Sequence, residues 1–386
     1  MVTDTYCPLL FTQLVIKPDK TVGPCCRFTN IPGHSSTDIT AAFNSEYMNN
    51  LRSMVLQNQK APPCVRCYAE DAAGKLSFRR SEFFNFPHMP TQARLESLEL
   101  SLDNLCNLKC RSCGPHLSTK WRTDAEKLNI ISDEFNTYID SEFDPGKFDL
   151  KSLKRLGFLG GEPFLNCQRL IDVIKRCDLT SIDNPLQVYI STNGTVLPSA
   201  ELVSLLAQCN TVIRISYDGV GKLANYFRSG CDYNSWLANA VELYKMHKPW
   251  IKTDKTQQGI YVNLHSTVCV YNLNCLPTHD KLVQQSLPNI LITRTILHGP
   301  SWLNIRNFPT YIKNKISVKF DSLDQSESHF SEYQQIKNYM MQSQLQPFEK
   351  FIEQSQKLDY LRRESLADAN PELDQWINDL KNSIPN

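Results

Sequence analysis

The chain has 386 residues, enough for two or three domains that each bury a core of their own. Its 41 basic and 40 acidic residues nearly cancel, which excludes the electrostatic footprint of a nucleic-acid or anionic-membrane binder. No apolar run reaches the ~18–20 residues of a membrane span, and Asp4 and Gln13 break the pattern of a signal peptide near the start. The expectation is a cytoplasmic protein, and in that reducing setting its 14 cysteines point to metal ligation or burial rather than disulfides.

The first ninety residues read as a module of their own. Phe11–Ile16 has the character of a strand, and Pro18-Asp19-Lys20 turns it into Thr21-Val22-Gly23 as a hairpin. Ile39–Gln57 places Phe43, Tyr47, Leu51, Met54 and Val55 at helical spacing behind Asp38, a plausible N-cap. Pro62-Pro63 stops any helix and delivers Cys64-Val65-Arg66-Cys67. Cys7, Cys25, Cys26, Cys64 and Cys67 then supply four sulfur ligands with one to spare, for zinc or for iron–sulfur. Phe83–Pro90 is the expected linker.

From Arg94 the pattern alternates strand and helix. Strands are predicted at Leu95–Leu102, Leu153–Leu159, Leu186–Thr192, Thr211–Tyr217, Ile260–Val270 and Asn289–Leu297. The helical stripes between them are Leu170/Ile171/Ile174/Cys177, Leu202/Leu205/Leu206 and Leu237/Ala240/Val241/Tyr244. Repeated units of this kind make a parallel sheet with crossover helices, an α/β fold. About six of them suit an incomplete (β/α)6 TIM-like barrel, with its chemistry at the C-terminal ends of the strands. The insertion Trp121–Asp149 is polar and acidic. Beyond Pro309, Ser326–Gln344 and Phe348–Leu366 read as helices, and Pro371 restarts a third; packing is their expected role. The domains are thus 1–90, 91–309 and 310–386.

Cys106, Cys110 and Cys113 follow the first barrel strand at C-x3-C-x2-C spacing. Three thiolates can hold three corners of a cubane iron–sulfur cluster and leave its fourth iron open. With His116 they could instead form a Cys3His zinc site. Gly160-Gly161-Glu162-Pro163 follows the second strand, where two glycines let backbone approach a ligand and the proline stiffens the exit. Ser191-Thr192-Asn193-Gly194 and Ser216-Tyr217-Asp218-Gly219 end the next two strands; their hydroxyl and amide groups can hydrogen-bond a ribose and a carboxylate, and Asn-Gly and Asp-Gly also form turns.

In this order and at strand ends, over about Leu95–Pro309, these motifs resemble the radical S-adenosylmethionine (radical SAM) enzymes. One departure is Ser112, where the family usually places an aromatic residue beside the adenine. The resemblance implies a core [4Fe–4S] cluster on Cys106, Cys110 and Cys113. It further implies S-adenosylmethionine held by Gly160, Gly161, Glu162, Pro163, Ser191, Asn193 and Ser216, with Arg228 nearby. The N-terminal cysteines resemble a twitch domain, a shortened SPASM domain that carries an auxiliary [4Fe–4S] cluster. That match favours Cys7, Cys25, Cys64 and Cys67, with Cys26 left over, and extends to Glu70, Gly74, Ser77 and Arg79. The implied activity is reductive cleavage of S-adenosylmethionine to a 5′-deoxyadenosyl radical that takes hydrogen from a peptide or small molecule, with a flavodoxin or ferredoxin as electron donor. The competing readings are a zinc-stabilised interaction protein and a binding module without turnover. The other cysteines, and His88, His116, His265 and His298, are expected to pack or face solvent.

Overall fold

The computed structural model describes residues 4–28, 30–72, 76–129, 144–181, 184–248, 258–326 and 329–382. Its centre is one eight-stranded sheet in the order β2-β1-β3-β4-β5-β6-β7-β8. The strands are β1 (Gln13–Ile16), β2 (Val22–Gly23), β3 (Ser97–Ser101), β4 (Arg155–Leu159), β5 (Gln187–Thr192), β6 (Asn210–Ser216), β7 (Gly259–Val268) and β8 (Ile292–Ile296). All six strands predicted for the barrel form, and β3 to β8 are mutually parallel. The fold is α/β, an open barrel of the expected kind.

Alternation along each strand sorts the side chains. Leu98, Leu100, Leu156, Phe158, Val188, Ile190, Ile213, Ile215, Val262 and Leu264 are buried and face the crossover helices. Those helices include Cys167–Ile174, Ala200–Leu206, Tyr233–Lys245 and Leu276–Ser286. The stripe predicted on Tyr233–Lys245 is rotated: Trp236, Ala240 and Leu243 are its buried residues, because the bulky indole takes the core position that Leu237 was expected to fill. The residues between the buried ones share the inner face of the sheet, since paired positions on parallel strands point the same way. Through the register Ser191↔Arg214↔Asn263 and Ser216↔His265↔Thr293, that face is polar.

The N-terminal segment joins this sheet. β1 runs parallel to β3 with Gln13 opposite Ser97, and β2 returns antiparallel with Val15 opposite Gly23. The strand begins two residues later than expected because Leu9–Thr12 forms a buried helical turn, and a short apolar run cannot by itself distinguish the two. Asp38 caps Ile39–Asn44 through Ala41 N at 3.3 Å. The single helix expected to Gln57 is divided at Ser45, whose extended backbone and side chain cap Glu46–Leu56 through Met48 N at 3.3 Å. Cys67 lies in the helix Val65–Ala72, which follows directly on the turn Pro62–Cys64. Gly74 and about half of the 121–149 insertion, residues 130–143, lie outside the described residues.

Beyond Pro309 come Thr310–Asp321, a helix the sequence pattern did not reveal, then Phe330–Met340, Glu349–Arg362, Leu366–Ala369 and Pro371–Asn382. They form a second core in which Ile312, Phe320, Tyr333, Phe351 and Leu373 meet Phe227 and Tyr271 from the ends of the barrel units. Among the described residues no helix is long and apolar enough to cross a membrane.

The two sheet faces should respond differently to truncation. Phe158, 1% exposed on the helix-facing side, should cost about 3–5 kcal/mol as Phe158→Ala. Arg214→Ala on the inner face should barely move the urea midpoint. Equal losses would mean that both faces are packed core.

Candidate iron–sulfur and cofactor site

The loop that follows β3 carries Cys106 and Cys110, both buried, and Cys113, which is partly exposed. It has no helix or strand of its own, so the end of the helix Lys222–Phe227, the residues just after it and Trp121 satisfy much of its backbone. Lys109 N donates to Ser229 O at 3.0 Å, Arg111 N to Phe227 O at 2.8 Å, and Trp121 Nε1 to Cys110 O at 2.8 Å. The sulfurs also receive donors. Leu108 N reaches Cys106 Sγ at 3.5 Å, Asn193 Nδ2 reaches the same sulfur at 3.7 Å, and Arg228 Nη1 reaches Cys110 Sγ at 3.7 Å. Burial raises the Cys106 thiol. A hydrogen bond between Cys110 and Cys113 raises the first and lowers the second, and the Arg228 guanidinium lowers both. Such donors stabilise thiolate over thiol, which is the state an iron–sulfur cluster requires.

The glycine pair acts on this loop. Gly160 and Gly161 have φ of +82° and +20°. A Cβ on Gly161 would stand 2.3 Å from Leu105 O, and one on Gly160 would stand 2.7 Å from Ser101 Cβ. Gly161 therefore admits the backbone of the cysteine loop, and Gly160 admits the Ser101 side chain and Asp103 O; the sequence reading had the pair admit a ligand. Glu162 N donates to Leu105 O at 2.7 Å. The Glu162 carboxylate, 2% exposed, accepts from Phe164 N at 3.1 Å, Thr192 Oγ1 at 2.7 Å and Asn193 N at 2.5 Å. Pro163 opens the turn Pro163–Asn166 that this carboxylate caps. Glu162 thus ties the ends of β4 and β5 to the cysteine loop, and burial raises its pKa.

Asn193 is similarly engaged. Its Nδ2 donates to Asn107 Oδ1 at 2.9 Å, and its Oδ1 accepts from Thr195 N at 2.9 Å and Thr195 Oγ1 at 2.6 Å. Ser191 and Ser216 stand half-buried on the inner face. Arg228 pairs with Asp218 at 2.6 Å, and Asp218 Oδ1 accepts from Thr267 N at 2.7 Å. Asp218 was read only as half of a turn dipeptide; as the anchor of the arginine beside Cys110 it has a larger part, which no local pattern signals. Trp121, Asn107 and Thr195 were missed for the same reason.

Further down the inner face, Glu99 lies over Gly157, whose missing Cβ would meet Glu99 Cγ at 3.1 Å. Burial raises the Glu99 pKa, with Arg155 and Arg214 pulling it down and Glu82 pushing it up. The Asn263 Oδ1 is buried there with no hydrogen-bond partner, and His265 Nδ1 meets Thr293 Oγ1 at 2.9 Å.

In the N-terminal segment, Cys7, Cys25, Cys64 and Cys67 line one pocket of about 400 Å³, together with Arg27, Phe28, Phe78 and Arg79. Burial pushes Cys25 up to about 12 and Cys64 up to about 11, and the nearness of other cysteines adds to the rise in both. Arg27 Nη1 lies 3.7 Å from Cys67 Sγ and 2.6 Å from Glu70. Arg79 pairs with Asp71 and donates to Tyr6 O, while Ser77 caps the turn Phe78–Ser81 through Arg80 N at 3.2 Å. Cys26 does not line the pocket. It opens to solvent, and the surrounding protein and then the Glu99 carboxylate raise its thiol. Among the described residues no three His, Cys, Asp or Glu side chains are disposed around a single metal ion.

Two outcomes follow from this geometry. Gly161→Ala should displace Leu105 and with it the cysteine loop, so iron taken up by the core cysteines on anaerobic reconstitution should fall. Full core iron in that variant would show that the loop is positioned without this contact. For Glu99, the native state holds the proton more tightly than the unfolded chain, so above about pH 4.3 stability should fall as pH rises. Glu99→Gln should remove that slope, giving a variant more stable than the parent at pH 7 and equal to it near pH 4, read from urea midpoints across pH.

Comparison with known proteins bears on the core segment. A family model described as a 4Fe-4S single cluster domain matches residues 102–228, a third of the chain. No curated protein matches it. Among solved structures, native anSMEcpe with bound AdoMet aligns over 53% of this chain and 52% of its own, at 18% identity and a TM-score of 0.37. The anSMEcpe complex with AdoMet and the Kp18Cys peptide aligns over 58% and 59%, at 18% identity and 0.39. Streptococcus suis SuiB bound to S-adenosylmethionine aligns over 64% and 65%, at 16% identity and 0.29. The chain spans about half the length of the first of these structures. Residues 102–228 thus match the model of a 4Fe-4S single cluster domain, and by its four motifs the chain resembles the radical SAM enzymes.

Proposed function

We propose that the chain is a radical SAM enzyme with two cysteine-bound clusters, acting on a peptide or small molecule. The observation that carries this reading is the set of three sulfurs on one loop at the sheet's C-terminal edge, with Arg228 and Asn193 donating to them. Bound there, a [4Fe–4S] cluster with an open iron would supply the one electron that breaks the C5′–S bond of S-adenosylmethionine, leaving methionine and the 5′-deoxyadenosyl radical that takes hydrogen from substrate.

In this reading the protein's own residues position and shield. Cys106, Cys110 and Cys113 are the ligands, and Arg228 offsets the charge of the sulfurs. Gly160, Gly161, Glu162 and Pro163 hold the strand-end turn against the loop, so that the backbone carbonyls of this segment are available to an amino group. Ser191 and Ser216 offer hydroxyls on adjacent strands, and Asn193 supports the loop from below. Cys7, Cys25, Cys64 and Cys67 hold the second cluster. The inner face between the two cysteine sites, with Glu99, Arg214, Asn263 and His265, is the surface we assign to the substrate: it offers a carboxylate, a guanidinium, an unpaired amide oxygen and an imidazole. A small redox protein such as a flavodoxin or ferredoxin would deliver the electron, and the setting we propose is the cytoplasm.

Anaerobically reconstituted protein given a reductant should cleave S-adenosylmethionine, and replacing Cys106, Cys110 and Cys113 together by Ala should abolish 5′-deoxyadenosine formation. Undiminished cleavage in that variant would locate the active site elsewhere. The same variant should keep about four iron per chain at the N-terminal pocket. Adding Cys64→Ala and Cys67→Ala should remove that iron, and adding Cys26→Ala instead should spare it. Stoichiometric zinc in place of iron would make the N-terminal segment a structural zinc module.

A further inference from the structure

Between Cys110 and Cys113 stands Arg111, a full-length charged side chain with no exposed surface. A guanidinium is buried at such a place only when its charge and donors are met. Here they are met from far along the chain. Arg111 Nη2 donates to Asp359 Oδ1 and to Glu364 Oε2, each at 2.6 Å, and its Nε donates to Tyr226 O at 3.0 Å. Its plane lies over the Tyr226 ring at 3.5 Å. Asp359 belongs to the helix Glu349–Arg362 of the C-terminal extension, and Glu364 follows that helix directly. Arg363, in the left-handed region at φ 55°, turns the chain so that Glu364 N bonds Asp359 O at 3.0 Å and both carboxylates converge on one guanidinium.

The contact is doubled. Arg362 reaches Asp124 at 2.7 Å and Ser229 Oγ at 3.1 Å, and it lies over Trp121, whose indole holds Cys110 O. Lys109, one residue before Cys110, pairs with the same Asp124 at 3.0 Å. Ser229 also donates to Glu364, and its carbonyl receives Lys109 N. The residues flanking Cys110 on either side are thus both tied to residues 359–364.

We propose that the C-terminal extension is a working part of the core cysteine site, with Asp359 and Glu364 as positioning residues that lock Arg111 and so hold Cys110 and Cys113 in register for the cluster. This rests on the reading that those thiols bind iron–sulfur, and it goes beyond that reading by giving the extension a role other than packing. Without the two carboxylates, an unpaired guanidinium would have to leave its buried site and take the loop with it.

The test uses the full chain, reconstituted anaerobically. Core iron is the parent's iron less that of the variant lacking Cys106, Cys110 and Cys113. Asp359→Asn with Glu364→Gln should release core iron to a ferrous chelator at least roughly ten-fold faster than the parent, since a buried charge left unpaired is costly, and should broaden the reduced core cluster's electron paramagnetic resonance signal. Glu372→Gln, which loosens the same extension at its contacts with Lys319 and Asn274 (both 2.8 Å), should leave that rate unchanged. Adding Arg111→Met to the double variant removes the stranded charge; thermal stability should recover while fast iron release persists. Parental release in the double variant, equal acceleration by Glu372→Gln, or release that recovers together with stability would each overturn the proposal. Should the parent and the triple-cysteine variant hold equal iron, the reading of the core site falls and this inference falls with it; a parent that holds core iron isolates the failure to the inference.

Discussion

The site depends on one close approach. Glu162 N donates to Leu105 O at 2.7 Å, and that distance exists only because Gly161 presents no Cβ, which would otherwise stand 2.3 Å from the same oxygen. The contact joins the end of β4 to the start of the cysteine loop. Through the Glu162 carboxylate it extends to Thr192 and Asn193 at the end of β5, and through the Asn193 amide it returns to Asn107 and Cys106. A loop with no secondary structure is in this way held by the rigid edge of a sheet, a general route by which irregular segments acquire defined geometry.

Charge completes what the backbone begins. Arg228, paired with Asp218, and Arg111, paired with Asp359 and Glu364, lie on different sides of the same three-cysteine segment. Buried pairs of this kind add little net stability against an apolar alternative, because the desolvation of each ion offsets most of their attraction. Their contribution is to admit one arrangement of the loop, since any other would strand a charge in the interior. The inner face of the sheet differs: burial raises the Glu99 pKa there, and the Asn263 Oδ1 is buried with no hydrogen-bond partner.

The N-terminal segment is more closely joined to the barrel than its composition indicates. β1 and β2 extend the main sheet beyond β3, and Arg155 of β4 both pairs with Glu82 at 3.1 Å and lies 5.4 Å from the Phe86 ring. The stretch Phe83–Pro90 therefore reads as linker by its prolines and aromatics, yet Phe86 is buried in the common core. As a result the four-cysteine pocket is fixed relative to the sheet by backbone pairing as well as by side chains.

Much was legible along the chain. The six barrel strands were marked by their apolar runs and the crossover helices by their stripes, because periodicity records which face is buried. C-x3-C-x2-C, Gly-Gly-Glu-Pro and the two strand-end motifs were visible because their chemistry is local to a few consecutive residues. Other features were not local. The choice of Trp236 over Leu237 for the core, the division of a helix at Ser45 and the parallel docking of β1 on β3 depend on what packs opposite. Ser77, Glu70 and Arg79 could be named from a motif, but their partners Arg27, Asp71 and Tyr6 O could not. Above all, Arg111 meets Asp359 and Glu364 across about 250 positions of sequence. A composition shift after Pro309 could signal only helices, because a charge pair leaves no periodic trace in either partner's neighbourhood. The sequence by itself determined the barrel strands and the motifs at their ends; tertiary structure alone decided which distant backbone and charges hold those motifs, since such contacts arise only when the sheet edge and the C-terminal core close on the same loop.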